Sequence, residues 1–81
     1  MQKQFILYGT SACHLCDDAE ASIRAISKTM PVIYTKQDIV EDDILLEKYG
    51  SSIPIFHCKE TKNELSWPFN ELELKEFING Q

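Results

Sequence analysis

The chain has 81 residues, 43% of them hydrophobic, a formal net charge of −5 and three cysteines. This length holds one domain, 1–81, near the small end of what folds without staples, and the apolar content excludes a disordered segment. Eight scattered Lys and Arg residues exclude a nucleic-acid reader, no apolar run approaches the roughly 20 residues that cross a bilayer, and three cysteines are too few for a disulfide scaffold.

Met1-Gln2-Lys3-Gln4 lacks the basic segment, long apolar run and small-residue cleavage site of a signal peptide, so a reducing cytoplasm is expected. Gln4-Phe5-Ile6-Leu7-Tyr8 reads as a buried strand and Gly9-Thr10-Ser11-Ala12 as the turn after it. From Cys13 onward, Leu15, Ala19, Ile23 and Ile26 recur at helical spacing, fading near Lys28-Thr29. Pro31 opens a second strand, Val32-Ile33-Tyr34-Thr35, and Gln37 to Val40 is a connection. Glu41-Asp42-Asp43 starts a second helix with its acid in the first turn, Ile44, Leu45 and Tyr49 on its apolar side, and Gly50 as its stop. The third strand is Ser52 to Cys58. A polar turn, Glu60 to Asn63, joins it to a fourth, Glu64 to Trp67, which Pro68 breaks. Asn70 caps a last helix carrying Leu74, Phe77 and Ile78, with Gly80 past its end. The order is β-α-β-α-β-β-α: an α/β fold with a small mixed sheet, a parallel βαβ opening and a later antiparallel hairpin.

The chemistry centres on Cys13-His14-Leu15-Cys16 at the first strand-to-helix junction. Unpaired N–H groups and the helix dipole favour an anion there, and the thiolate is the form of cysteine that attacks disulfides. Cys13, nearest the turn, is the expected nucleophile. Cys16, one helical turn deeper on the same side, suits a resolving thiol. A zinc site would need four ligands, and only Cys58, His14 and His57 could join the pair, none in a second CxxC or an HxxxH, so no metal is expected. Asp17 shares the Cys13 face and opposes a second negative charge. His14 reads as a surface or substrate-facing residue rather than a proton-transfer group. Cys58 reads as a small buried hydrophobe, with a regulatory thiol open to glutathionylation as the alternative. The acidic clusters read as solvated helix faces that could also repel acidic ligands, glutathione included.

Element order, a CxxC after strand one and Ile53-Pro54 at the head of strand three together resemble the thioredoxin fold. The Tyr8-Gly9-Thr10-Ser11-Ala12-Cys13-His14-Leu15-Cys16 opening is similar to a glutaredoxin-like family, and the resemblance spans nearly the whole chain. It implies a cis peptide at Pro54 facing the CxxC, with Ile53 offering its backbone to an extended substrate. Thr10, His14 and Leu15 would then border the substrate, joined by Trp67 and by Asn70 with the amides of the last helix. The family's lysine before the motif is absent, Leu15 stands where an aromatic is usual, and Trp67-Pro68-Phe69-Asn70 replaces a Gly-Gly-Asp region that receives glutathione. Lys36 remains as a partner for a glutathione carboxylate. The resulting expectation is a monomeric dithiol–disulfide oxidoreductase without a tightly bound cofactor. It would reduce protein or small-molecule disulfides and be recharged by glutathione, bound weakly, or by a thioredoxin-reductase-type donor. The alternative is a binding module of the same fold that holds an iron–sulfur cluster or a protein partner.

Overall fold

The computed structural model describes residues 3–81; Met1 and Gln2, the start of the expected leaderless opening, lie outside the described residues. Four strands, β1 (Gln4–Gly9), β2 (Ile33–Asp38), β3 (Ile55–Cys58) and β4 (Glu64–Ser66), form one sheet in the order β2-β1-β3-β4. β2 runs parallel to β1, and the other two pairings are antiparallel. Three helices, α1 (His14–Ser27), α2 (Asp43–Tyr49) and α3 (Glu71–Asn79), complete the expected element order.

Alternation along the strands sorts the side chains onto two faces. Phe5, Leu7, Phe56 and Cys58 meet Ala19, Ile23 and Ile26 of α1 and Leu74 of α3 in one apolar cluster, closed by Phe69. Phe5 and Phe56 stack there with ring centroids 4.8 Å apart. The opposite face is smaller: Tyr8 and Ile55 pack on Ile39 and Tyr49, with Ile6, Leu45 and Ile53 at the margin. Fully burying each aliphatic or aromatic side chain of the first cluster stabilises the fold by about 1.5–3 kcal/mol, so this layer anchors α1 and everything at its N-terminus.

Several boundaries differ from the sequence reading. β2 begins at Ile33 and runs on through Lys36, Gln37 and Asp38, because the six residues of β1 pair with it from Gln4↔Ile33 to Gly9↔Asp38. An edge strand tolerates such polar residues. A 3₁₀ turn, Ile39–Glu41, replaces the rest of the expected connection. α2 is shorter than expected because Asp42 is its N-cap, its carboxylate accepting the N–H groups of Ile44 and Leu45 at 2.9 and 3.3 Å. Leu45 and Tyr49, four apart, face the sheet, while Ile44 points to solvent. Gly50 does end α2, its N–H reaching Leu46 O at 2.9 Å. β3 starts only at Ile55, since Pro54 has no N–H to give a ladder, and β4 stops at Ser66. Asn70 and Glu73 form a reciprocal capping box on α3.

Candidate active site

The parallel pairing brings the carboxyl ends of β1 and β2 to one edge of the molecule, and the chain turns there from Gly9 into α1. Cys13 is the N-cap of α1, with extended backbone, and its Sγ accepts the Cys16 N–H at 3.0 Å. One orphan donor of the helix terminus is thereby aimed at the first sulfur. A sulfur that accepts hydrogen bonds at the positive end of a helix is stabilised as an anion. Cys13 and Cys16 are joined as a disulfide with Cα atoms 5.2 Å apart. The two differ in access. Cys13 is half-buried at the surface of the turn, whereas Cys16 is only 7% exposed. The close pair fits a redox role.

Beside Cys16 opens a cleft of about 290 Å³ lined by Gly9, Thr10, Ser11, Asp17, Glu20, Lys36, Asp38 and Glu41 among others. Glu20 is the hub of its polar wall. Its carboxylate, 14% exposed, accepts the Tyr34 hydroxyl at 2.9 Å and the Lys36 ammonium at 3.2 Å, and lies 3.5 Å from the Arg24 guanidinium. Burial pushes its pKa up, but the bonds from Tyr34 and Lys36 and the two cationic charges outweigh it, so the carboxyl sits below its ordinary value. Lys36 is thus committed to Glu20, and with Asp17, Asp38 and Glu41 around it the cleft has an acidic balance.

Thr10 lines this cleft and its carbonyl accepts the Cys13 N–H at 3.4 Å. His14 and Leu15 lie exposed on the first turn of α1, Leu15 at 48%. The Ile53-Pro54 peptide is cis. Because Tyr8 pairs with Ile55, the antiparallel register carries Pro54 alongside Gly9, to the same end of the sheet as the cysteines. Among the described residues, neither the N–H nor the C=O of Ile53 has a hydrogen-bond partner. The Pro54 carbonyl accepts the Trp67 N–H at 3.1 Å, which brings Trp67 to that end as well, its indole edge-on to Phe69. Asn70 is committed locally: its side chain accepts the Glu73 N–H at 2.8 Å, and Glu71 and Glu73 already fill the first turn of α3 with negative charge.

Three features escaped the sequence reading. Glu20 was hidden because its partners, Tyr34 and Lys36, come from β2, 14 and 16 residues away. The Trp67-Pro68 peptide is also cis. On the other sheet face, Glu64 accepts the Tyr49 hydroxyl and lies 2.8 Å from His57 Nδ1, giving His57 the partner that its sequence neighbourhood did not show. Burial and Glu64 push the Tyr49 phenol well above its ordinary pKa. The β3–β4 pairing of His57 with Glu64 was the signal available: facing residues of a hairpin. Cys58 is fully buried in the first cluster and free.

Solved structures reproduce this architecture. The X-ray structure of the protein XcR50 from X. campestris matches with a TM-score of 0.77 at 27% identity, covering 95% of this chain and 97% of that one. The protein Ne2328 from Nitrosomonas europaea matches at 0.83 and 20% identity, over 96% and 93%. Oxidised thioredoxin from Plasmodium falciparum matches at 0.65 and 20% identity, over 98% and 80%, which confirms the thioredoxin-like fold. No curated protein sequence gives a significant match. The model of the glutaredoxin-like domain (DUF836) matches residues 4–79, and the chain belongs to that family.

Proposed function

We propose that the protein is a dithiol–disulfide oxidoreductase in which Cys13 attacks and Cys16 resolves. The observation that carries this is the unequal setting of the pair: Cys13 Sγ at the helix N-terminus, accepting an N–H, and Cys16 behind it and nearly buried. In the reduced enzyme the Cys13 thiolate attacks one sulfur of a substrate disulfide. A Cys13–substrate disulfide forms, and the other substrate sulfur leaves as a thiolate that takes up a proton. Cys16, deprotonated, then attacks Cys13 Sγ, releases the second substrate sulfur and forms the Cys13–Cys16 disulfide. Two electrons and two protons from a dithiol donor or two molecules of a monothiol restore the reduced pair.

The unpartnered backbone of Ile53 supports an extended substrate laid along the Pro54 end of β3, as an added strand would lie. Leu15 and Trp67 would flank it. Glutathione is a feasible reductant but a weakly held ligand. Lys36 is engaged by Glu20, the first turn of α3 already carries the negative charges of Glu71 and Glu73, and the cleft is acidic. Two or three missing charge-assisted contacts of roughly 1.5–3 kcal/mol each weaken binding by several orders of magnitude. No helix among the described residues is long and apolar enough to cross a membrane, and the reducing cytoplasm is the compartment in which such a pair would cycle.

The test is reduction of a peptide disulfide with glutathione and its reductase, run beside thioredoxin reductase. Turnover with either, lost in Cys13→Ser, supports the proposal. A slow, near-linear dependence on glutathione is expected; saturation at low concentration would restore an efficient glutathione site. No turnover with any donor would remove the enzymatic reading.

A further inference from the structure

We infer that Gly9 is a positioning residue for Cys16: its missing side chain is the space in which the Cys16 sulfur sits when the disulfide is closed, so this position sets the reduction potential of the pair. The inference rests on the proposed cycling of Cys13 and Cys16. A Cβ built on Gly9 would lie 2.7 Å from Cys16 Sγ and 3.1 Å from Cys16 Cβ, and beyond its chain neighbours it would meet nothing else within 4 Å. No glycine among the described residues has positive φ, so the backbone of Gly9 is one that alanine adopts without strain. The whole penalty of a methyl group at this position therefore falls on Cys16.

That penalty differs between the two redox states. In the oxidised chain the Cys16 sulfur is covalently tied to Cys13, and rotation about its Cα–Cβ bond cannot carry it away from residue 9. In the dithiol the sulfur is free to turn to another staggered rotamer. The backbone has little room to give, because Gly9 is held in β1 by its pairing with Asp38 and Cys16 is held in α1 by the apolar layer beneath it. A methyl at position 9 thus destabilises the disulfide more than the dithiol. The couple, in which the disulfide takes two electrons and two protons to give two thiols, becomes more oxidising. The resolving step slows for the same reason, since Cys16 Sγ must re-enter the occupied space to reach Cys13.

The experiment is Gly9→Ala, read in two ways. Equilibration with mixtures of reduced and oxidised glutathione, with the species counted by mass spectrometry, should show the constant for disulfide formation lowered about tenfold or more, which is about 30 mV for a two-electron couple. The singly glutathionylated chain should also accumulate. Melting of the oxidised and phosphine-reduced chains should show the substitution lowering the oxidised midpoint more than the reduced one. Equal losses in both states, or an equilibrium constant within twofold of the parent, overturn the inference. If the parent pair does not exchange with glutathione, the proposed reductant is wrong, and the melting comparison still decides the role of Gly9. If Gly9→Ala does not fold, Gly9→Ala/Cys16→Ala should, because the crowded sulfur is gone; failure of that double variant also overturns the inference.

Discussion

Cysteine occupies two regions of this molecule with opposite consequences. Cys13 and Cys16 sit at the junction of β1 and α1, where a helix terminus supplies an N–H to sulfur and an acidic cleft opens beside it. Cys58 sits at the C-terminal end of β3, fully buried among Phe5, Phe56 and the helices α1 and α3, with a long contact of 3.8 Å to Glu60 Oε1. In the proposed mechanism the same thiol is a reagent in the first region, whereas in the second it fills core volume. What separates them is backbone placement: the loop-to-helix turn leaves polar groups to be satisfied by the sulfur, whereas the N–H and C=O of Cys58 are already paired with Asn63 O and the Lys62 N–H.

The largest effect expected from breaking this contrast is on Cys13. Cys13→Ser should reduce turnover to the uncatalysed background, because no first thiolate remains to open the substrate disulfide; a steady-state assay with any accepted donor checks it. Cys58→Ala should do the reverse, leaving turnover intact while costing about 1 kcal/mol through lost packing. That is a fall of roughly 4–8 °C in melting temperature for a domain this small. Iodoacetamide should label Cys58 only after denaturation. Labelling of the native chain at Cys58 would show that the core opens, and would revive the regulatory thiol considered from the sequence.

A smaller effect should distinguish the cleft end by its acid response. Glu20 has its carboxyl held below the ordinary 4.5, so its contribution to stability is present above that pH and is lost as the pH falls through the depressed value. Glu20→Gln should lower stability at neutral pH by no more than about 1 kcal/mol, read as a lower melting temperature, and the gap to the parent should close on acidification. Melting curves from pH 7 to pH 2 measure it; a gap that widens toward acid would contradict the assignment. Smallest of all, Asp17→Asn should lower the pKa of the reduced Cys13 modestly, since it removes a like charge near the thiolate while solvent screens the interaction. Thiolate absorbance against pH reads the shift directly.

Much of the first region was legible in the chain itself. A short apolar run, a small-residue turn and Leu15, Ala19, Ile23 and Ile26 at helical spacing place Cys13 at a helix start without any tertiary information. The hairpin of β3 and β4 followed from local patterns as well, while the cis peptide at Ile53-Pro54 was expected only from the resemblance to the thioredoxin fold. Side-chain partnerships across the sequence were not legible. Glu20 with Tyr34 and Lys36, and Glu64 with Tyr49 and His57, depend on which strands lie side by side. The extension of β2 through Asp38 likewise comes from pairing with β1, which overrides the weak strand propensity of Lys36-Gln37-Asp38. Nor does a sequence show that Gly9 abuts a sulfur seven residues on, because the contact exists only once the chain has turned from strand to helix.

The most direct test of the central claim is to locate the covalent intermediate. Cys16→Ser and Cys13→Ser are each reduced, exposed to a peptide disulfide or to oxidised glutathione, digested without reductant and mapped by mass spectrometry. A stable mixed disulfide on Cys13 in Cys16→Ser, with no adduct in Cys13→Ser, is the predicted result. An adduct on Cys16 in Cys13→Ser, with none on Cys13 in Cys16→Ser, would reverse the roles of the two sulfurs, and no adduct in either would contradict the exchange mechanism itself.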